Sequence, residues 1–276
     1  MGNRQAAPLA KLEINQMKIM KLLAFSLAGL IAAGHAVADD FKQALVQEGQ
    51  LTIATTGNAP PLTLVQSDGS LGGFDVALCE RIAQDLGLKA EFVRVDFAAT
   101  IPGLKAGRFD MICSAVARTP ARMASPDLYL SEPTVENFTT LVVPKDSEVA
   151  SVDQGRGHRI GVVRGGQEGP ILEKIFEGDV TVTTYPGIAE EMLDLKNGRI
   201  DAVSMNYLTA RFHARAEEGV TVLEPGFVVE NVSPYTHGLV VSRNEPDLLA
   251  AVNDALAKLK ADGTIDKLKE TWITGE

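Results

Sequence analysis

Cysteine, histidine, aromatic residues and basic charge are all in short supply in this chain. It holds 2 cysteines and 4 histidines in 276 residues, and its aromatics amount to 5%. The histidines stand alone, with no H-E-x-x-H pattern and no cysteine pair at ligand spacing, which excludes the common zinc sites and leaves no metal or cofactor to expect. G-x-S-x-G, S-x-x-K and P-loop patterns are absent as well, so nothing supports the common hydrolase and nucleotide-binding classes. Acidic residues outnumber basic ones, 36 against 26, for a net charge of −10. Nucleic acid and anionic membrane surfaces are therefore poor partners.

The apolar run from Leu22 to Ala33 is too short to span a bilayer. It follows Met17-Lys18 and Met20-Lys21 and precedes Ala36-Val37-Ala38, which makes a basic segment, a short apolar segment and an A-x-A cleavage site. The expectation is a secretory signal peptide within residues 1–38, cut before Asp39, with residues 1–16 a candidate overcalled start. No cysteine lies near the cut, so a freely soluble periplasmic protein is expected. An oxidising compartment permits a bond between Cys79, on a predicted helix, and Cys113, on a predicted strand. A strand cysteine is more commonly a small buried hydrophobe, and the residues leave both readings open.

What remains reads as alternating strands and helices. Gln50 to Thr55 is an apolar strand; Phe74, Leu78, Cys79, Ile82, Ala83 and Leu86 keep helical spacing up to a Gly87 C-cap; Ala90 to Val95 alternates like a strand. A short helix around Ile101 and Leu104 ends at Gly107, and a strand follows from Phe109 to Ser114. The order implies an α/β lobe with a mostly parallel sheet. The chain then repeats itself: LKAGRFDMICSAV (Leu104 to Val116) is echoed by LKNGRIDAVSMN (Leu195 to Asn206), so a second lobe on the same plan is expected. Apolar strands at Thr140 to Pro144 and Gly238 to Ser242 are candidate crossovers making a two-stranded hinge. The division is then 39–142 for the first lobe, 143–237 for the second and 238–276 for the return, with the ligand site in the cleft.

Within GRFDMICSAVARTPAR, Thr119 and Pro120 mark a helix start, which puts Arg122 in the first turn beside free backbone N–H groups, a natural carboxylate or phosphate receptor.

Together with GGFDVALCERIAQDLGL, DFAATIPGLKAGRFDMI, RTPAR, NGRIDAV and the tail AVNDALAKLKADGTIDKLKETW, the stretch from about Leu51 to Trp272 resembles the polar amino-acid family of periplasmic solute-binding proteins, family 3, the receptors of ABC importers. The resemblance implies a periplasmic-binding-protein fold of two α/β lobes that close on an amino acid or related small carboxylate without chemistry, a monomer that delivers to an inner-membrane permease. It places the ligand's α-carboxylate on Arg122, a backbone carbonyl and N–H at Ala115 and Ala117, and a capping aromatic at Phe97 in the loop after the first helix.

Other positions depart from the family's pattern. Ala59 stands where an aromatic is usual, Thr56 replaces a frequent acid, and Gly166 followed by Gln167 replaces a frequent threonine. Ala117 lacks the usual hydroxyl. Asn206 falls where an aspartate pairs with the ligand's α-ammonium, leaving an amide oxygen as acceptor, with Glu168 and Glu136 as candidate substitutes for the charge. Gly169-Pro170 would start the second-lobe helix late. An enzyme resembling cyclohexadienyl dehydratase, with Glu168 as acid, and a sensor module are the competing readings on the same fold.

Overall fold

The computed structural model describes residues 40–227 and 235–275, and the expected signal peptide lies outside them. The chain divides into two compact units, Met1–Gln43 and Ala44–Glu276. Of the first, one 3-10 turn, Asp40–Gln43, is described. The sheets, helices and cavity below belong to the second.

Strand β1 (Gln50–Thr55) leads into a small meander of β2 (Asn58–Ala59), β3 (Thr63–Val65) and β4 (Leu71–Gly72). Helix α1 (Phe74–Asp85), β5 (Lys89–Arg94), α2 (Phe97–Lys105) and β6 (Met111–Ile112) follow. A single turn α3 (Pro120–Met123) and β7 (Leu128–Leu130) complete the first pass through this lobe. Next come β8 (Glu136–Asn137), β9 (Thr139–Pro144), β10 (Arg159–Val163), α4 (Glu168–Ile175), β11 (Thr181–Tyr185), α5 (Ile188–Lys196), β12 (Ala202–Asn206), α6 (Tyr207–Ala216) and β13 (Val220–Val222). The chain returns through β14 (Tyr235–Thr236) and β15 (Val240–Ser242) to α7 (Pro246–Ala261) and α8 (Thr264–Lys269).

Among the described residues the strands make two five-stranded sheets of one plan, ordered β5-β1-β6-β15-β7 and β11-β10-β12-β9-β13. In each, three parallel strands are joined by an antiparallel strand, β15 or β9, that arrives directly from a crossing segment. The sequence repeat is thus a repeat of topology. Its two aspartates do the same work: Asp110 accepts the Thr52 N–H at 2.7 Å and Asp201 the Arg159 N–H at 2.8 Å, each tying its own strand to the neighbouring parallel one.

The expected crossover strands are placed differently. Thr140 to Pro144 lies within the second sheet and Val240–Ser242 within the first, and the two-stranded hinge pair is β8 with β14, immediately before each. Hydrophobic pattern marked the long apolar strands, whereas the two-residue hinge strands carry no periodicity to read. Both faces of the second sheet are covered by core. Alternate residues of β12 show it: Ala202 packs with Ile171, Leu172 and Phe176, and Val203 and Met205 with Ile188 and Met192.

Candidate functional site

Arg122 is built as its sequence context requires. Thr119 Oγ1 accepts the Arg122 N–H at 3.2 Å and Pro120 takes the first helical position. The helix is four residues long, so its dipole is slight and the guanidinium carries the anion-binding capacity. Nη1 donates to the Ala117 carbonyl at 3.2 Å and Nη2 to the Gly165 carbonyl of the other lobe at 3.4 Å, and Cζ lies 5.8 Å from the centre of the Phe97 ring. Phe97 is the first residue of α2 rather than part of a preceding loop. Ladder bonds from Gly238 to Val116 and from Arg118 to Thr236 flank Ala117, whose own N–H therefore takes no part in the ladder.

The facing wall comes from the second lobe. Helix α4 begins at Glu168, ahead of Gly169-Pro170, so the proline sits inside the first turn instead of opening it. A Cβ on Gly166 would collide with Glu168 Oε2. The glycine found where a threonine is usual therefore vacates the space that the Glu168 carboxyl occupies.

Asn206 is committed. Its Oδ1 caps α6, accepting the Thr209 N–H at 3.1 Å and the Asn137 Nδ2 at 3.0 Å. Asn137 is fixed in turn, because its own Oδ1 accepts the Phe138 and Leu208 N–H groups at 3.0 and 3.3 Å. The amide oxygen expected to accept from the ligand thus already accepts from one backbone and one side-chain donor within the protein.

Between the walls is a cavity enclosing about 570 Å³ of space free of protein atoms, part of it open to solvent. Thr56, Ala59, Phe97, Ala115, Ala117, Arg122, Gly166, Gln167 and Asn206 all line it, as do Asn58, Ser114, Val163, Glu168, Ile188, Ser204, Met205 and His237. Glu136 is exposed on the hinge and lies outside the lining. Arg122 and Glu168 are thus the charged residues of the lining, one from each lobe. His237 arrives through its pairing with Ala117, a contact 120 residues apart that no sequence signal announces. Ser204 was accessible to sequence reasoning, two residues before Asn206 on the repeated strand.

Burial sets the electrostatics. Desolvation lifts the Glu168 carboxyl above its ordinary range, opposed by backbone N–H groups and by Arg122. His237 is held down to about 3 by burial and then by Arg122, so it is a neutral imidazole. Behind the second-lobe wall, Glu191 on α5 is 0% exposed, and both its oxygens lack a hydrogen-bond partner among the described residues. Burial, then Glu168 and Glu190, raise it well above the usual carboxylate range, so it holds its proton. No group of three or more His, Cys, Asp or Glu side chains among the described residues could hold a metal ion.

The model of the family described as bacterial extracellular solute-binding proteins, family 3, matches residues 51–275. The chain belongs to that family. Among its relatives, the L-cystine-binding protein TcyJ of Escherichia coli K12 is 26% identical over 263 residues, covering 94% of this chain and 96% of that protein. In solved structures this family 3 protein is similar to a P235GK mutant of ArgBP from T. maritima, at TM-score 0.77 and 28% identity over 86% of this chain and 99% of that one. It is also similar to the ancestral amino acid-binding protein AncCDT-1, a precursor of cyclohexadienyl dehydratase, at TM-score 0.73 and 27% identity over 86% and 98%.

Cys79 and Cys113 are bonded, S–S 2.17 Å, across 34 residues. Helix α1 brings Cys79 to Cys113, the residue just past β6, a juxtaposition that the spacing of the two cysteines in the chain does not encode.

Proposed function

We propose that this chain is the soluble receptor of an ABC importer, exported by the signal peptide ending at Ala38, and that it captures an α-amino acid as a monomer without chemical change. The observation that carries this reading is the dipolar cavity, with one cation on the first lobe and one acid on the second. A zwitterion fits that pair: its carboxylate goes to Arg122 and its ammonium to Glu168, which takes over the role that Asn206 cannot fill. Phe97 caps the ligand beside the guanidinium. Relatives named for binding cystine and arginine support the ligand class.

Arg122→Ala tests the assignment. A charge-assisted hydrogen bond contributes roughly 1.5 to 3 kcal/mol, so titration calorimetry against an amino-acid panel should show affinity falling at least about tenfold. Equal affinities would remove Arg122 from the site.

One observation favours a second reading. A carboxyl of raised pKa lining a cavity between two lobes is what acid catalysis requires, so Glu168 suits a dehydratase. Formation of an aromatic product on incubation with prephenate or arogenate would establish it. The likeness to AncCDT-1, itself described as an amino acid-binding protein, supports the binder.

A further inference from the structure

One wall of the cavity, Ser114 to Ala117, is held from behind by a helix that does not reach the ligand space. Ala115 lines the cavity with φ +51°, in the left-handed region that a side-chain-bearing residue enters at a steric cost. Its N–H points away from the cavity and donates to Asp75 Oδ2 at 2.6 Å. Asp75 is 3% exposed, sits in the first turn of α1 and contributes nothing to the lining. Its other oxygen, Oδ1, has no hydrogen-bond partner among the described residues, and burial pushes its carboxyl up to about 6. An acid kept in such surroundings opposes stability, and the hydrogen bond that its carboxyl makes among the described residues goes to Ala115. Cys79, four residues on and so on the same face of α1, is bonded to Cys113, two residues before Ala115.

We propose that Asp75 is a positioning residue of the ligand site: with the Cys79–Cys113 bond it makes α1 a splint that holds Ala115 in its left-handed conformation, setting ligand affinity without touching the ligand. This rests on the amino-acid reading above. If the splint acts through backbone conformation, glycine at 115, which adopts positive φ without steric cost, removes the need for it.

The test uses the oxidised protein and, as probe, whichever of L-arginine, L-glutamine, L-histidine and L-cystine binds wild type tightest by calorimetry. Asp75→Ala is expected to weaken binding about tenfold, Asp75→Asn, whose amide oxygen still accepts, to stay within about threefold, and Asp75→Ala/Ala115→Gly to recover most of the loss. Rescue by glycine is the readout that general destabilisation of the fold does not produce. Wild-type affinity in Asp75→Ala, or a double variant no better than the single one, overturns the proposal. Arg122→Ala run beside them separates the two levels: loss there with none at Asp75 defeats the splint alone, whereas no loss at Arg122, or no probe binding wild type, defeats the amino-acid reading itself. Should Asp75→Ala not fold, Cys79→Ala/Cys113→Ala tests the other tie. An affinity loss recovered by Ala115→Gly supports the splint, and unchanged affinity overturns it.

Discussion

Replacing Glu168 by glutamine removes a charge and little else. The amide matches the acid in shape, so the space over Gly166 stays filled and the wall keeps its contour. An ammonium about 4 Å from a carboxylate at an effective dielectric of about 20 is attracted by roughly 4 kcal/mol. Two effects reduce what the substitution loses: the desolvation that lifts the Glu168 pKa already weighs against its charged form, and the glutamine oxygen still accepts a hydrogen bond. A net loss of about 2 kcal/mol remains, roughly 30-fold in Kd. The pH dependence gives a second measurement with a definite sign. In the free protein the Glu168 pKa lies above its ordinary 4.5, and a bound ammonium draws it back down, so complex formation releases a proton. Affinity should therefore rise with pH through the raised pKa and level off above it. Asp75 and Glu191 are buried behind the walls and His237 is neutral, and the variant separates their contributions from that of Glu168. Calorimetry in two buffers of different ionisation enthalpy counts the protons. A Glu168→Gln protein that binds its best amino acid within about threefold of wild type over about pH 5 to 8 would refute the role given to this residue.

Asn206→Asp keeps the cap on α6, because a carboxylate oxygen replaces the amide oxygen, but it sets a second acid in the cavity that Glu168 lines and should weaken amino-acid binding in calorimetry; a tenfold improvement would show that the ammonium lacks a partner in the wild type. Gly165→Ala should weaken binding about tenfold, since φ there is +80° and the new Cβ would lie 3.0 Å from the Ala98 Cα of the other lobe; unchanged affinity would mean that the lobes need not approach so closely. Glu191→Met should stabilise the fold at neutral pH by about 1 to 3 kcal/mol, because it removes a buried acid without partners. The folded-state pKa of Glu191 is raised above 4.5, so its ionisation in the unfolded chain erodes wild-type stability as pH rises from there towards the folded value, and thermal unfolding should show the advantage of the variant growing over that range and shrinking towards acid.

Much of the molecule was legible because the signals involved are local. Helix α1 and strand β1 follow from apolar spacing, and Arg122 from a cap and a proline three and two residues before it. The repeat around Gly107 and Gly198 foretold two lobes of one topology. The start of α2 at Phe97 was missed because Pro102 masks the helical pattern, and the two-residue hinge strands because pairing, not propensity, makes them. Gly166 looked like a bare departure until the Glu168 carboxyl was seen to need its space. The state of Asn206 depends on Asn137, 69 residues away, and that of Ala115 on Asp75. Such couplings are tertiary, and spacing along the chain does not encode them.

The shared sheet plan also bears on how the chain is made. The second sheet is complete once Val222 has emerged, whereas the first must wait for β15 near the end of the chain. Until then β6 has a partner on one side, β1, and its other edge, at Met111 and Ile112, is open to pairing with any strand that arrives. The Cys79–Cys113 bond draws on residues that emerge early, so where the emerging chain meets an oxidising compartment it can secure the end of that strand before its permanent neighbour exists. During synthesis the lobe that begins first is therefore finished last.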